Sequence, residues 1–246
     1  MFDGSGLLVT GGSGLLGGEL VKRLPLALFP PSGVFNVVDY EQMTRYSGLQ
    51  RVSTVLHAAA FTSPPKVDQD PVKAISINII GTANVARLCI ENSLKLVYVS
   101  TDYVFKGDRG SYTESDGVQP INKYAWSKLG GECAVRMHDR SLIIRTSFGP
   151  KIFPYPKAFS DQWTSRESVD IIAEKIVMCL ELNLEGVIHL GGERRSVLEY
   201  ARHLDVSREI QPLQIADVPF QVPRDTSLDV SRFEQLIRTI QDCERK

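Results

Sequence analysis

Leu7-Leu8-Val9-Thr10-Gly11-Gly12-Ser13-Gly14-Leu15-Leu16-Gly17 decides the fold. Its first four residues read as a short buried strand. Glycines follow at once, and Leu15 to Leu24 then carry helical spacing until Pro25 stops it. The pattern is G-x-x-G-x-x-G between a strand and a helix. Glycine is needed where a backbone turns sharply and where it approaches a pyrophosphate closely. The start of the helix then offers unpaired N–H groups and the positive end of its dipole to phosphate. This arrangement predicts a bound dinucleotide, held by Gly11, Gly14, Leu15, Leu16 and Gly17.

Downstream, strands and helices alternate. Leu26 to Phe29 reads as a second strand, closed by the turn Pro30-Pro31-Ser32-Gly33, and Val34 to Asp39 as a third. Val52 to His57 is a strand ending in Ala58-Ala59-Ala60, and Pro71 to Asn92 is a long amphipathic helix. Strand Leu96 to Ser100, helix Asn122 to Met137 and strand Ser141 to Arg145 follow. Such alternation predicts an α/β fold, a Rossmann-type doubly wound parallel sheet. Beyond Gly149-Pro150 the texture changes, and Lys151 to Gln162 is rich in Pro and aromatics without a period. Helix Glu167 to Leu182, strand Val187 to Leu190, a capping box at Ser196-Val197-Leu198-Glu199 and a last helix from Ser227 to Ile240 complete the chain. The expected division is a dinucleotide-binding domain with the catalytic residues over 1–147, and a small C-terminal α/β substrate lobe over 148–246, interleaved with the last sheet elements.

The bulk properties exclude several classes. The 246 residues allow one large α/β domain, or one domain with a small lobe. A composition of 43% hydrophobic and 23% charged residues is that of a soluble globular protein. A net charge of −1 offers no basic surface to nucleic acid or to an acidic membrane. No run approaches the length of a transmembrane helix, and the glycine motif begins too early to leave room for a signal peptide. Cys89, Cys133, Cys179 and Cys243 form no C-x-x-C, and Cys89 and Cys179 fall in apolar helical stretches. The expectation is a cytoplasmic protein without disulfides, structural zinc or any other metal.

Two further segments carry chemistry: Ser100-Thr101-Asp102-Tyr103-Val104-Phe105 and, about twenty residues on, Tyr124-Ala125-Trp126-Ser127-Lys128. Residues four apart on a helix share a face, so Tyr124 and Lys128 lie one turn from each other. A free phenol ionises only near pH ~10. A neighbouring ammonium favours phenolate, which is expected to bring Tyr124 closer to working pH. Thr101 would sit at the carboxyl end of a buried strand, where open α/β sheets bind ligands. The cofactor's ribose is less determined. Asp39 lies about 20 residues past the glycines, the usual spacing for a ribose-binding acid. If Leu26 to Phe29 is the second strand, however, it ends in Pro30-Pro31, with neither acid nor base beside it. NAD and NADP both stay open, and Asp39 reads as a strand-end or helix-start residue.

With Thr101, Tyr124 and Lys128 behind the glycine loop, the chain resembles the extended short-chain dehydrogenase/reductases. Ala58-Ala59-Ala60-Phe61-Thr62, Asn78-Ile79-Ile80-Gly81, Ser100 to Gly107, Pro120 to Tyr124, Lys128 to Glu132 and Arg145-Thr146-Ser147 narrow this to the dTDP-4-dehydrorhamnose reductase-like branch. The resemblance is specific from 57 to 147 and looser beyond. It implies NAD(P)H-dependent reduction of the C4 ketone of a nucleotide-linked 4-keto-6-deoxy sugar. Tyr124 would donate the proton, Thr101 would bond the substrate oxygen, Lys128 would hold the nicotinamide ribose, and Asn78 would support a proton-relay water. Ala58, Ala59, Ala60 and Ser100 would join the cofactor site. Thr62, Asp102, Tyr103, Phe148 and Gln162 would face the sugar nucleotide. The family's members are typically some tens of residues longer, so a trimmed substrate lobe is expected. The resemblance also admits a homodimer, an epimerase or dehydratase, and a nucleotide-binding regulatory subunit such as that of methionine adenosyltransferase.

Overall fold

The computed structural model describes residues 2–244, with the Cys243 side chain outside what it describes. Five strands form the central sheet. β1 (Leu7–Thr10), β2 (Thr54–His57), β3 (Lys95–Val99) and β4 (Ser141–Thr146) lie side by side in chain order, and Gly186–Leu190 completes the row. Every ladder is parallel. Strands covered on both faces read as continuous apolar runs, and β3 and β4 are buried at every position. The α/β, doubly wound expectation holds. Among the described residues no helix is long and apolar enough to cross a membrane. Cys89, Cys133 and Cys179 are free thiols.

The expected second and third strands do not form. Residues 26–29 contribute one parallel bridge, Leu28 to Leu8, with Val9 N donating to the Leu28 carbonyl at 2.8 Å. Proline ends the pairing, because Pro30 and Pro31 have no N–H to extend a ladder. Residues 34–39 are turns, and Asp39 caps the helix Tyr40–Thr44 by accepting from Gln42 N at 3.0 Å. Phe35 and Val37 look like strand residues in sequence, yet they are buried against Leu8, Met43 and Leu88 by packing over the sheet rather than by pairing at its edge. A short apolar run does not distinguish the two outcomes. The single bridge still matters: Leu28 flanks β1 on the side opposite β2, so strand addition reverses at β1. That reversal is the topological switch where such sheets bind ligands.

Helices cover both faces. α1 (Leu15–Arg23) packs with Val169–Glu181 through Leu16, Leu20, Ile172 and Ile176. The opposite face is covered from 71–91, a continuous helix with a π-helical turn, Ile75–Gly81, in its middle. Beyond residue 147 the chain both completes the sheet and builds a separate apolar cluster of Phe153, Ala158, Val197, Leu198, Tyr200, Ala201 and Ile210. Two starts differ from sequence for one reason, short ladders. The helix Val169–Glu181 begins late because Glu167–Ser168 pair with Phe148–Gly149. The last helix, Ser231–Glu244, begins past Ser227 because Asp225 and Leu228 bridge Asp108 and Tyr112. The Ser196 capping box forms as expected.

The helix Lys123–Val135 is joined to the sheet by buried charge. Arg145 on β4 meets Glu132 with Nη2–Oε2 at 2.8 Å and Nε–Oε1 at 3.1 Å, and Ser100 donates to the same carboxylate at 2.5 Å. Glu132 and Arg145 are almost fully buried, at 0% and 1% exposure. Removing one partner of such a pair strands the other charge in a dry interior. Glu132→Ala is therefore expected to lower the unfolding free energy by about 3–5 kcal/mol, and Glu132→Met with Arg145→Met by much less. Urea denaturation measures both; equal losses would contradict the account.

Candidate active site

At the switch point the glycine loop closes on itself. Gly11 has φ +79°, and a Cβ there would meet Ala59 N at 2.7 Å. A Cβ on Gly17 would lie 2.3 Å from the Gly11 carbonyl oxygen. Neither position accepts a side chain. Gly14 caps α1 without a side-chain hydrogen bond, so the first-turn N–H groups are available to an anion. The loop fits a dinucleotide pyrophosphate on these grounds. Beneath it, Thr10 Oγ1 meets His57 Nδ1 at 2.7 Å and His57 Nε2 meets Thr82 Oγ1 at 3.0 Å. Burial, with a smaller push from Lys128, takes His57 down to about 3, so its ring is neutral and acts as a packed spacer between β1 and helix 71–91.

Asn122 caps the helix Lys123–Val135, accepting from Ala125 N at 2.9 Å. The helix carries Tyr124 and Lys128 to the end of β3, where both line one cavity with Thr101, whose hydroxyl donates to Asp102 Oδ1 at 3.1 Å. The expected action of Lys128 on the phenol is not what the structure shows. Burial raises the Tyr124 pKa well above its usual value, the neighbouring Thr101 hydroxyl only partly offsets this, and the Asp102 carboxylate raises it further. Lys128 instead donates to the Val99 carbonyl at 2.8 Å and sits 4.1 Å from the centre of the Tyr98 ring. Burial takes Lys128 down to about 7, against a smaller opposing effect of Glu132. Spacing puts the two side chains on one face, but it does not show how dry that face is. Tyr124 is consequently protonated at neutral pH.

One cavity of about 480 Å³ joins the glycine loop to these groups. Gly11, Gly14, Leu15, Leu16, Gly17, Ala58, Ala60 and Ser100 line its cofactor end, with Tyr124 and Lys128. Thr62, Thr101, Asp102, Tyr103 and Phe148 line the remainder. Three expected site residues stand behind the wall. Ala59 covers Gly11 and donates through its N–H to Thr10 Oγ1 at 3.3 Å. Gln162 donates to the Tyr103 hydroxyl at 2.7 Å and so fixes that ring edge-on to Tyr124, 6.2 Å between centroids. Asn78, on the π-helical turn, bonds both the N–H (2.7 Å) and carbonyl (2.9 Å) of Phe61 and donates to Ser127 at 2.8 Å. It ties the loop after β2 to the Tyr124 helix. Asp102 is likewise held, accepting from Thr226 at 2.6 Å and Thr164 at 3.3 Å.

Sequence reasoning misses Phe153, Tyr155, Arg166 and Tyr200, yet all four line the cavity. They come from 148–246, where no periodic motif announces them. The Pro-rich stretch near 153–155 is legible only as irregular, and Arg166 precedes a helix start without any pattern of its own.

Residues 5–178 match the family model described as the RmlD substrate binding domain. The chain belongs to this family. A dTDP-4-keto-6-deoxy-D-glucose reductase of Streptomyces niveus is 29% identical over 204 residues, covering 74% of this chain and 71% of that one. The structure of a hypothetical dTDP-4-dehydrorhamnose reductase from Sulfolobus tokodaii aligns with a TM-score of 0.83 and 30% identity over 93% of each chain. Against that relative the expected trimming is not seen, since the two chains cover each other equally. A dTDP-4-dehydrorhamnose reductase from Bacillus anthracis, in complex with NADP, aligns at 0.84 and 25% identity over 96% of this chain and 92% of that one.

Two measurements test the site. Gly17→Ala should abolish dinucleotide binding, read by fluorescence titration with NADPH; retained affinity would contradict the tight-turn account. Lys128 sets a pH dependence. Its pKa falls from 10.5 unfolded to about 7 folded, so between those values the unfolded chain binds more protons and stability rises with pH. Lys128→Met should be more stable than the parent at pH 7 and below, by about 2–4 kcal/mol, with the gap closing towards pH ~10. Urea denaturation across that range reads the difference, and a gap independent of pH would contradict it.

Proposed function

We propose that this chain reduces the C4 ketone of a nucleotide-linked 4-keto-6-deoxy sugar, of the dTDP-4-dehydrorhamnose type, with NADPH or NADH. The observation that carries the reading is that Thr101, Tyr124 and Lys128 line the same cavity as the glycine loop. Gly11, Gly14 to Gly17 and Ala58 would hold the dinucleotide, with Lys128 at the nicotinamide ribose. When bound, the cofactor supplies the hydride. The protein's own part is to meet the charge that develops on the ketone oxygen. Tyr124 gives its proton to that oxygen, and the Thr101 hydroxyl donates a second hydrogen bond to it. A phenol held protonated by burial suits the reductive direction, because the proton must be present when the alkoxide forms. Residues 1–147 would bind the cofactor, and 148–246 would supply Phe148, Tyr155 and Tyr200 to the substrate end. A regulatory nucleotide binder has no use for this donor pair, so the site favours catalysis.

Tyr124→Phe should retain NADPH affinity and lose about 10²–10⁴ in kcat. Thr101→Ala should lose about 10². Steady-state oxidation of NADPH with dTDP-4-dehydrorhamnose measures both, and unchanged turnover in Tyr124→Phe would overturn the mechanism.

A further inference from the structure

Lys128 is almost fully buried, and among the described residues it forms no ion pair. A cation in a dry interior needs other partners. An ammonium carries three N–H donors. One goes to the Val99 carbonyl at 2.8 Å. The nitrogen also stands 4.1 Å from the centre of the Tyr98 ring. The negative face of an aromatic ring attracts a cation at that distance, most strongly where water is excluded. Tyr98 and Val99 are successive residues of β3, so the end of one strand supplies both contacts. Lys128 also lines the cavity, which leaves an N–H for a ligand there.

The Tyr98 ring is itself fixed on three sides. Its hydroxyl donates to the Lys128 carbonyl at 3.3 Å, so one side chain clasps both ends of Lys128. A buried phenol normally finds such a partner, and Tyr98 is fully buried. The helix Lys123–Val135 can approach this closely because residue 131 is glycine: a Cβ there would run into the Tyr98 hydroxyl. Behind the ring lies His57, stacked with 5.7 Å between centroids and 28° between planes. Both His57 nitrogens are tied, one to Thr10 and one to Thr82. Thr10 is the residue before Gly11. An unbroken line of contacts therefore runs from the glycine loop through His57 and Tyr98 to the Lys128 amine. A phenylalanine would fill the same volume in the core, but it would not bond the helix.

We propose that Tyr98 is a positioning residue for the dinucleotide: its ring is the seat on which the Lys128 ammonium rests, and it aims that group at the nicotinamide half of the cofactor. The proposal rests on the dinucleotide reading of the site, but the binding it describes does not require turnover. Tyr98 touches neither cofactor nor substrate and acts only through Lys128. A long, flexible lysine side chain loses much rotamer freedom when it holds one ligand group. Clasped at its carbonyl and at its nitrogen, Lys128 has lost that freedom before the ligand arrives, which favours binding.

The test is calorimetric titration of the full chain with NADPH and with 2′,5′-ADP, which is the adenosine half alone, and likewise with NADH and ADP. It is run at pH ~6, where Lys128 is charged. The variants are Tyr98→Leu, Tyr98→Phe and Tyr98→Phe with one, two or three fluorines on the ring, each also in a Lys128→Met background. Tyr98→Leu should lose about 10-fold for the whole dinucleotide and little for the adenosine half. Tyr98→Phe should fall between, because the ring is kept and the clasp on the carbonyl is lost. Successive fluorination drains the ring face at nearly constant shape, so dinucleotide affinity should fall in steps; this series decides the matter even if Tyr98→Leu does not fold. In the Lys128→Met background all of these losses should vanish. Equal losses for the dinucleotide and its adenosine half, affinity flat across the fluorinated series, or losses that persist without Lys128 would overturn the proposal and leave the dinucleotide site standing. No binding of either dinucleotide by the parent would overturn both. Tyr98-dependent dinucleotide binding in a chain that reduces no keto-sugar would sink the reductase reading and leave the seat standing.

Discussion

The buried ion pair between Glu132 and Arg145 is the contact on which the site's geometry depends. Glu132 lies one helical turn beyond Lys128 and two beyond Tyr124, so all three share a face of the helix Lys123–Val135. Its carboxylate is gripped from β4 by Arg145 and from the end of β3 by Ser100, the residue before Thr101. Tyr124 and Thr101 are thereby referred to one charged anchor. Such a pair is expensive to desolvate and adds little net stability. What it supplies is a fixed axial position: a purely apolar helix face could slide along the sheet without losing much buried area, whereas a bidentate contact cannot. Asn78 performs the same task from the other side, since it bonds the loop after β2 and the helix through Ser127.

Dryness then sets the chemistry. Burial acts in opposite directions on an acid and a base, and here it raises Tyr124 and lowers Lys128 to about 7. Both groups are pushed towards their neutral forms. A neutral phenol is the form needed to protonate an alkoxide, and an easily neutralised amine can donate to a ribose hydroxyl without leaving a stranded charge. The same low dielectric strengthens any field inside the cavity, so Arg166 acts on residues it does not touch. The C-terminal residues thus contribute more than a covering. They line the cavity with aromatic rings and place the charge of Arg166 on its wall.

Much of this is legible in sequence, for physical reasons that differ by residue. Strands buried on both faces are apolar runs, so β2, β3 and β4 can be read directly, and the glycine spacing marks the first βα unit. Tyr124, Lys128 and Thr101 can be found because helical periodicity and strand ends are local properties. Phe35 and Val37 mislead because burial by packing and burial by pairing select the same side chains. The protonation of Tyr124 escapes sequence because spacing shows who is near but not how much water is excluded. Asn78 and Gln162 stand out in their motifs, yet their long-range partners, Phe61 and Tyr103, are tertiary facts. Arg166 and Tyr200 are invisible because their meeting at Gly149 brings together segments with no shared pattern.

The central claim is that hydride from a bound nicotinamide and a proton from Tyr124 convert a ketone of a nucleotide-linked sugar to an alcohol. The most direct measurement uses NADPH deuterated at the transferring position of nicotinamide C4, with dTDP-4-dehydrorhamnose, and reads the product by NMR. The account predicts stoichiometric oxidation of the cofactor and deuterium at C4 of the sugar. No oxidation and an unlabelled sugar, with the nucleotide still bound, would contradict it.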